Sequence, residues 1–228
     1  MGKKVKSYLA FTSPLYRIAV YLLIPAGIVG IGLWAGRESE VVGVIFVAVL
    51  LPVAEVLSDS WLFGGIQAKD AVKLDYLKTS GQGMRILRSA LILDLVRKFI
   101  TALGTILICY LVLRAAGRYE DEIDIAFSRR GMMGMSGWEE VTLLLFFVLV
   151  SYLASVAGTF LSRYGGMIWL NLTIGYCAAV FAALCMFLLM FLNYMFILDV
   201  FFCVLILGGG ILTVRTAMRK VEGGSYDQ

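Results

Sequence analysis

The sequence contains no histidine and few charged residues. None of its 228 residues is histidine, and only 16% are Asp, Glu, Lys or Arg. Without an imidazole, the chain lacks the base of serine and cysteine hydrolases and the His ligands of zinc proteases and haem proteins. Soluble domains carry about 25% charged residues. The low charge, together with 61% apolar residues, therefore indicates a protein whose solvent is lipid.

Other patterns of catalytic sites are also missing. The four cysteines form no CxxC pair and lie in apolar stretches, so we expect neither a disulfide framework nor a metal site. No GxxxxGK[ST] phosphate-binding loop occurs, so we expect no ATP hydrolysis by that route. Glu139 and Glu140 resemble the diglutamate of membrane CAAX-type proteases, but those enzymes also need intramembrane histidines. The sequence therefore predicts no catalytic, cofactor-binding or metal-binding residue.

Long apolar runs predict six membrane spans. A helix needs about 20 mostly apolar residues to cross roughly 30 Å of hydrocarbon. Because the first run lacks a small-x-small cleavage site near its end, we expect the N-terminus to be retained. The predicted fold class is an all-α polytopic membrane protein, with residues 1–228 forming a single transmembrane domain. The spans are predicted at residues 16–36, 41–65, 99–117, 141–161, 167–189 and 193–214.

Lys and Arg are distributed unequally between the two sides of these spans. Most of the 20 basic residues precede the first span, separate the second from the third, separate the fourth from the fifth, or follow the sixth. Since cytoplasmic segments are enriched in Lys and Arg, this side is predicted to be cytoplasmic, with both termini on it. We expect a multi-pass protein of the inner, cytoplasmic membrane. The net charge of +4 reflects this sidedness, and we expect no binding of nucleic acid.

Three segments lie outside the predicted spans. Residues 1–15 combine lysines with apolar residues, which predicts an amphipathic elbow helix at the membrane interface or, alternatively, a frayed basic tail. Residues 117–140 form a predicted extracytoplasmic loop. Residues 67–98 predict a cytoplasmic helical hairpin, with a break at residues 80–83. This hairpin is interpreted either as a docking element for another protein or as a structure lying on anionic lipid headgroups.

Three acidic residues within the spans are candidates for a translocation path: Glu55, Asp59 and Asp199. Charges at membrane depth are costly and usually face the bundle interior or an aqueous cavity. Glu55 and Asp59 are four residues apart and share one helical face just beyond Pro52. One interpretation is therefore that these residues form the polar lining of a path for a substrate or an ion. In a more specific version, they also couple transport to proton movement.

A second interpretation of the same three residues is structural. In it, Glu55 and Asp59 lie near the cytoplasmic surface and pair with a basic residue. The candidates for that basic residue are Arg97, Lys98 and Arg17. Asp199 is then a neutral or hydrogen-bonded packing residue.

The layout and one stretch of sequence resemble the membrane subunits of ABC-2-type transporters. The match to that family's layout extends over the whole chain: six spans, both termini inside, a basic elbow, and the helical hairpin of residues 67–98 between spans two and three. This hairpin is also called the knob. At residue level the similarity centres on residues 75–87, where a helix end, a break and basic residues lead into the third span. This chain has Ser80 and Gly81 where many members have Pro.

The resemblance implies a non-catalytic permease subunit of an ATP-driven exporter, which forms the path for an amphipathic peptide, drug or lipid. Family members work as homo- or heterodimers with a separate cytoplasmic ATPase chain. That chain binds ATP and Mg²⁺ and receives the knob, so that its closure would rock spans one, two and five around a central path. The residues implied to couple to the ATPase are Asp75, Tyr76, Leu77, Lys78, Arg85 and Arg88.

Three other classes of membrane protein stay open from the sequence. The first is the substrate-binding subunit of a vitamin or small-molecule uptake system, although the large basic knob argues against it. The second is an ion-coupled secondary carrier using Glu55 and Asp199, although the two halves of the chain show no matching broken-helix signature. The third is a non-transporting, immunity-type membrane protein.

Overall fold

The described part of the chain is entirely helical. The computed structural model describes residues 12–37, 40–67, 79–80, 82–116, 137–165, 168–189 and 195–222, and within them it contains no strand. The predicted all-α class is therefore confirmed at this level. The helices are α1 (Pro14–Ala35), α2 (Glu40–Gln67), α3 (Gly83–Ala115), α4 (Gly137–Gly165), α5 (Ile168–Leu189) and α6 (Met195–Glu222).

Five helices are long and apolar enough to cross a membrane, namely α1, α2, α3, α4 and α6. They overlap the predicted spans one to four and six, so the chain has the helices of a multi-pass membrane protein. The predicted fifth span coincides with α5. The apolar segment described within α5, Thr173–Leu184, is shorter than the length required of a span. The fifth span accordingly stays a prediction.

A proline causes a local change of helix type in α1. Pro25 has no backbone N–H, and its ring would clash with the carbonyl of Tyr21 in a regular α-helix. The turn before it, Ala19–Leu23, is π-helical, and the N–H of Ile24 donates to the carbonyl of Ala19. The wider π turn accommodates the ring. The proline therefore widens α1 without ending it.

The segments predicted outside the spans are described only in part. The elbow lies largely outside the described residues, but its end is visible, because Ser13 Oγ accepts the N–H of Tyr16 at 3.1 Å and caps the start of α1. The extracytoplasmic loop lies outside them apart from its last residues, which begin α4 at Gly137. The first helix of the predicted hairpin also falls outside them.

A single helix leads from the predicted break into the third span. The second helix of the hairpin is predicted to lead into a span starting at residue 99, and one helix of 33 residues, α3, runs through both. It starts where the break was predicted, with the N–H of Gly83 donating to the carbonyl of Ser80 at 2.9 Å. No Gly or Pro lies between residues 84 and 103, so nothing in that stretch ends the helix.

Helix α6 runs parallel to α4 and antiparallel to α3. Phe146 of α4 packs on Phe202 of α6 with ring centroids 5.6 Å apart, and Val156 lies beside Gly209 farther along both helices, so α4 and α6 are parallel. In contrast, the start of α3 packs on the end of α6 through a small apolar cluster. Its buried members are Leu87, Leu91, Ala217 and Val221.

Helix α4 is the centre of the bundle. Of its span 72% is buried, against 17% for the spans of α1 and α6. The outward faces of α1 and α6 carry large exposed apolar side chains such as Leu22 and Leu207. Such faces are stable when the surroundings are hydrocarbon, which agrees with a membrane setting.

Glycines allow α1 and α2 to approach closely. A Cβ added at Gly43 would lie 2.6 Å from the carbonyl oxygen of Gly32 and 2.7 Å from a methyl group of Leu113. Small residues of this kind let helix backbones approach and gain van der Waals contact in membranes. In contrast, a Cβ at Gly30 would meet nothing within 4 Å.

We expect Gly43→Ala to destabilise the folded protein by about 1–3 kcal/mol, because the added methyl group forces the two backbones apart. Gly30→Ala is the matched control and should be neutral or slightly stabilising, since alanine favours the helix. Thermal unfolding of the purified protein in detergent measures both effects. Equal melting temperatures for the two variants would contradict the proposed close approach.

Candidate functional site

Five ionisable side chains are buried together where α2, α3 and α4 meet. Glu55 and Asp59 lie one turn apart on α2, and Asp94, Arg97 and Lys98 share one side of α3 because residues three and four apart are neighbours on a helix. None of them is more than 6% exposed. We call these five side chains the charge network.

Arg97 joins α3 to α2 through paired hydrogen bonds. Its Nη2 donates to Oε2 of Glu55 at 2.6 Å, and its Nη1 donates to Oε1 of the same carboxylate at 3.2 Å. Its Nε donates to Oδ1 of Asp94 at 3.1 Å. Ser58 Oγ donates to the backbone carbonyl of Glu55 at 2.9 Å and lies 3.3 Å from Oε2. A bidentate Arg–carboxylate pair of this kind fixes both distance and orientation.

Lys98 joins three helices at one nitrogen. Its Nζ donates to Oγ1 of Thr159 on α4 at 2.6 Å and to Oδ1 of Asp59 on α2 at 3.2 Å. It also lies 3.3 Å from Oδ2 of Asp94 on its own helix. An ammonium group has three N–H donors, so these three oxygens match its donors in number.

Asp94 connects the two cations, and an aromatic pair lies beside it. One oxygen of Asp94 faces Arg97 and the other faces Lys98. Next to it on α3, the carbonyl of Leu95 accepts a hydrogen bond from Tyr152 Oη on α4 at 3.0 Å. The ring of Tyr152 meets Phe99 edge to face, with centroids 5.3 Å apart. These contacts close α4 against α3 next to the charges.

The network is stable because each charge has an opposite charge in contact. Three carboxylates and two cations give it a formal charge of −1. Removing an ion from water into a protein interior costs several kcal/mol, and good hydrogen-bond geometry offsets much of this cost. The carboxylates already have cationic partners. Among the described residues no group of three or more His, Cys, Asp or Glu side chains is arranged to hold a metal ion.

The structure brings Glu55 and Asp59 to their predicted basic partners. The structure contains the ion pairs of the second, structural interpretation. Glu55 pairs with Arg97, and Asp59 pairs with Lys98. Arg17 instead donates to the side chain and the carbonyl of Thr12. A role of Glu55 and Asp59 in a translocation path stays a prediction.

The other candidates lie elsewhere. Asp199 is buried on α6, 4% exposed, and is not part of the network. Arg85 and Arg88 are exposed on the first turns of α3. The remaining coupling candidates lie outside the described residues: Asp75, Tyr76, Leu77 and Lys78.

Sequence reasoning missed Asp94 and Thr159. Asp94 stands in an apolar run three and four residues before Arg97 and Lys98, which is the spacing of ion pairs on one helix face. That spacing was the available signal. Thr159 gave no signal of this kind, because hydroxyl residues are common in membrane helices and only the packing of α4 on α3 brings it to Lys98.

Comparisons of the chain with protein-family models, with curated proteins and with solved structures found no match.

Replacing Arg97 by Met should lower the free energy of unfolding by about 3–5 kcal/mol, because Glu55 then keeps a buried charge without its cation. Adding Glu55→Met in the same chain should recover part of that loss, since the second change removes the uncompensated carboxylate. Unfolding in detergent measures the single and double variants.

The control for this pair is Arg88→Met, which removes an exposed guanidinium from the same helix. It should change stability by less than about 0.5 kcal/mol, as most surface substitutions do. If Arg97→Met were as stable as Arg88→Met, the network would not hold the helices together.

Proposed function

We propose that this chain is the membrane subunit of an ATP-driven exporter of the ABC-2 type. It sits in the inner, cytoplasmic membrane with both termini inside and forms the path for an amphipathic peptide, drug or lipid. A cytoplasmic ATP-binding chain and a second permease chain complete the transporter. The observation that carries the proposal is the continuity of α3 from the break at residues 80–83 into the membrane span.

The length of α3 suits a lever. Its 33 residues correspond to about 50 Å of helix, whereas the hydrocarbon core is roughly 30 Å thick. The helix therefore extends well beyond the lipid. In the proposed orientation this extension lies on the cytoplasmic side, where Arg85 and Arg88 are exposed to a partner. A continuous helix transmits a displacement of its first turns into the bundle.

The charge network attaches this lever to the rest of the bundle. It lies at residues 94–98 of α3, between the exposed first turns and the apolar span. At that level Arg97 binds Glu55 of α2, and Lys98 binds Thr159 of α4. Any movement of the start of α3 is therefore shared by α2 and α4, which supports a coupling role for residues 67–98.

The energy for export comes from the partner in this proposal. ATP and Mg²⁺ bind to the ATPase chain, because this chain has no phosphate-binding loop. Closure of two ATPases moves the two knobs together, and the work reaches the substrate path through contact rather than through chemistry in this chain. An ion carrier using Glu55 is less well supported, since Arg97 already neutralises that carboxylate.

We expect a tagged chain, purified from its native membrane in mild detergent, to carry with it a roughly stoichiometric ATPase that contains a phosphate-binding loop. Mass spectrometry of the co-purified chains measures this. The double variant Arg85→Glu/Arg88→Glu should lose most of the ATPase, because it reverses the charge on the proposed docking surface while the buried network stays intact.

The matched control is Arg215→Glu/Arg219→Glu, which makes the same charge change on two exposed arginines near the end of α6. This control should retain the ATPase and remain inserted. If no ATPase reproducibly co-purified with the intact wild-type protein, the exporter proposal would be refuted. Substrate transport by this chain alone in liposomes, driven by an ion gradient, would instead establish a secondary carrier.

A further inference from the structure

Asp199 points into the bundle from a helix whose neighbouring residues point outward. It is 4% exposed, whereas Ile197, Val200 and Phe201 around it are 67%, 52% and 56% exposed. Phe202, one turn farther on the same face, is buried and packs on Phe146 of α4. The side chain of Asp199 is therefore turned toward the bundle, on the face through which α6 packs on α4.

Neither carboxylate oxygen of Asp199 has a hydrogen-bond partner among the residues that the structure describes. The other buried carboxylates of the described chain are in a different situation, because Glu55, Asp59 and Asp94 all contact Arg97 or Lys98. The fold thus pairs its buried charges at one place and leaves a carboxyl group unpaired at another.

No described lysine or arginine forms an ion pair with Asp199. The network lies at Thr159 on α4, 13 residues beyond Phe146, or about 20 Å along that helix. Level with Asp199, one turn before Phe146, α4 presents the buried Leu143. On α3, Tyr110 and Arg114 lie toward this end and bond to each other, with Nη1 of Arg114 donating to Tyr110 Oη at 2.6 Å.

Arg37, just after α1, is a further described cation toward this end, but it is exposed and forms no ion pair with Asp199. The side chains of Glu40 at the start of α2, Glu139 and Glu140 at the start of α4, and Cys185 on α5 are not described. An ionised carboxylate without a cation in such surroundings is very costly, and the group avoids this cost by taking up a proton.

We propose that Asp199 is a proton-binding site within the membrane bundle. Its carboxyl group is protonated in the arrangement described here, and the proton leaves only when the contact between α4 and α6 opens to water. Opening then releases one proton per chain, and closing takes one up. This site does not depend on the exporter proposal, because its evidence lies wholly in the burial and partners of Asp199.

The first test uses dicyclohexylcarbodiimide, an apolar reagent that reacts with protonated carboxyl groups, on the full-length protein in native membrane vesicles. The acid oxygen adds to the carbodiimide carbon while the acid proton moves to nitrogen, and the adduct rearranges to a stable N-acylurea without a leaving group. We expect modification of Asp199, found by peptide mass spectrometry, and its complete loss in Asp199→Asn.

Two internal controls test whether the labelling is specific for Asp199. Glu55, Asp59 and Asp94 are equally buried but paired with cations, so they should stay unmodified in the same sample. The variant Glu139→Gln/Glu140→Gln should leave the modification of Asp199 unchanged. Protection of Asp199 by sodium or lithium ions, with no effect of choline at the same concentration, would overturn the proposal in favour of a metal-cation site.

Infrared spectroscopy keeps the proposal testable if the reagent fails to reach the site. A protonated carboxylic acid has a C=O stretching band that a carboxylate and an amide lack, and it shifts in heavy water. The wild type minus Asp199→Asn difference spectrum should contain this band at neutral pH. Absence of the band shows an ionised Asp199 and overturns the proposal, whatever the labelling result.

Discussion

The ammonium group of Lys98 needs three oxygen partners in a bundle whose surroundings are apolar, and much of the structure depends on meeting that need. Asp94 is supplied by the same helix, Asp59 by α2 and Thr159 by α4. A shift of either neighbouring helix by one residue would move its oxygen by about 1.5 Å along the axis and break the contact. Apolar side chains alone specify such a register weakly, because one methyl group substitutes for another. The ion pairs therefore select one arrangement of α2, α3 and α4.

The same constraint explains why α3 continues beyond the apolar span. A pair of adjacent basic residues normally marks the lipid boundary, with long side chains reaching toward water. Here Arg97 and Lys98 turn into the bundle, where Glu55 and Asp59 receive them. The helix can then extend past them toward Gly83 with its backbone hydrogen bonds intact. In the proposed exporter, this extension contacts the ATPase, and the charge network connects it to the other helices of the bundle.

The sequence predicts the helices far better than the contacts between them. Hydrocarbon thickness determines the length of an apolar run, so the helical class and five helices long and apolar enough to cross a membrane follow from composition and period. The partners of Glu55 and Asp59 were foreseen only as one of two interpretations, because either burial or a water-filled path can accommodate intramembrane carboxylates. A rigid connection of the hairpin into the third span is predicted from the sequence, but the burial of Arg97 and Lys98 within it is not evident until their partners are known, because two adjacent basic residues resemble a lipid boundary. Gly43 looks like any other glycine of a membrane helix, and only the approach of Gly32 shows why no side chain fits there.

Asp94 and Asp199 show that burial alone does not determine what an acidic residue does in this bundle. Both side chains are almost fully enclosed, but Asp94 has two cationic neighbours and Asp199 has no hydrogen-bond partner in the described chain. Separating α3 from α2 would break several charge-assisted hydrogen bonds, and uncompensated ions would oppose it. Separating α6 from α4 near Asp199 would break no ion pair of the described residues. It would also expose the Asp199 carboxyl group to water, which favours the ionised form. Among the described residues, ion pairs therefore oppose separation at the charge network and none opposes it at Asp199, so a rocking bundle would pivot at the network and open near Asp199.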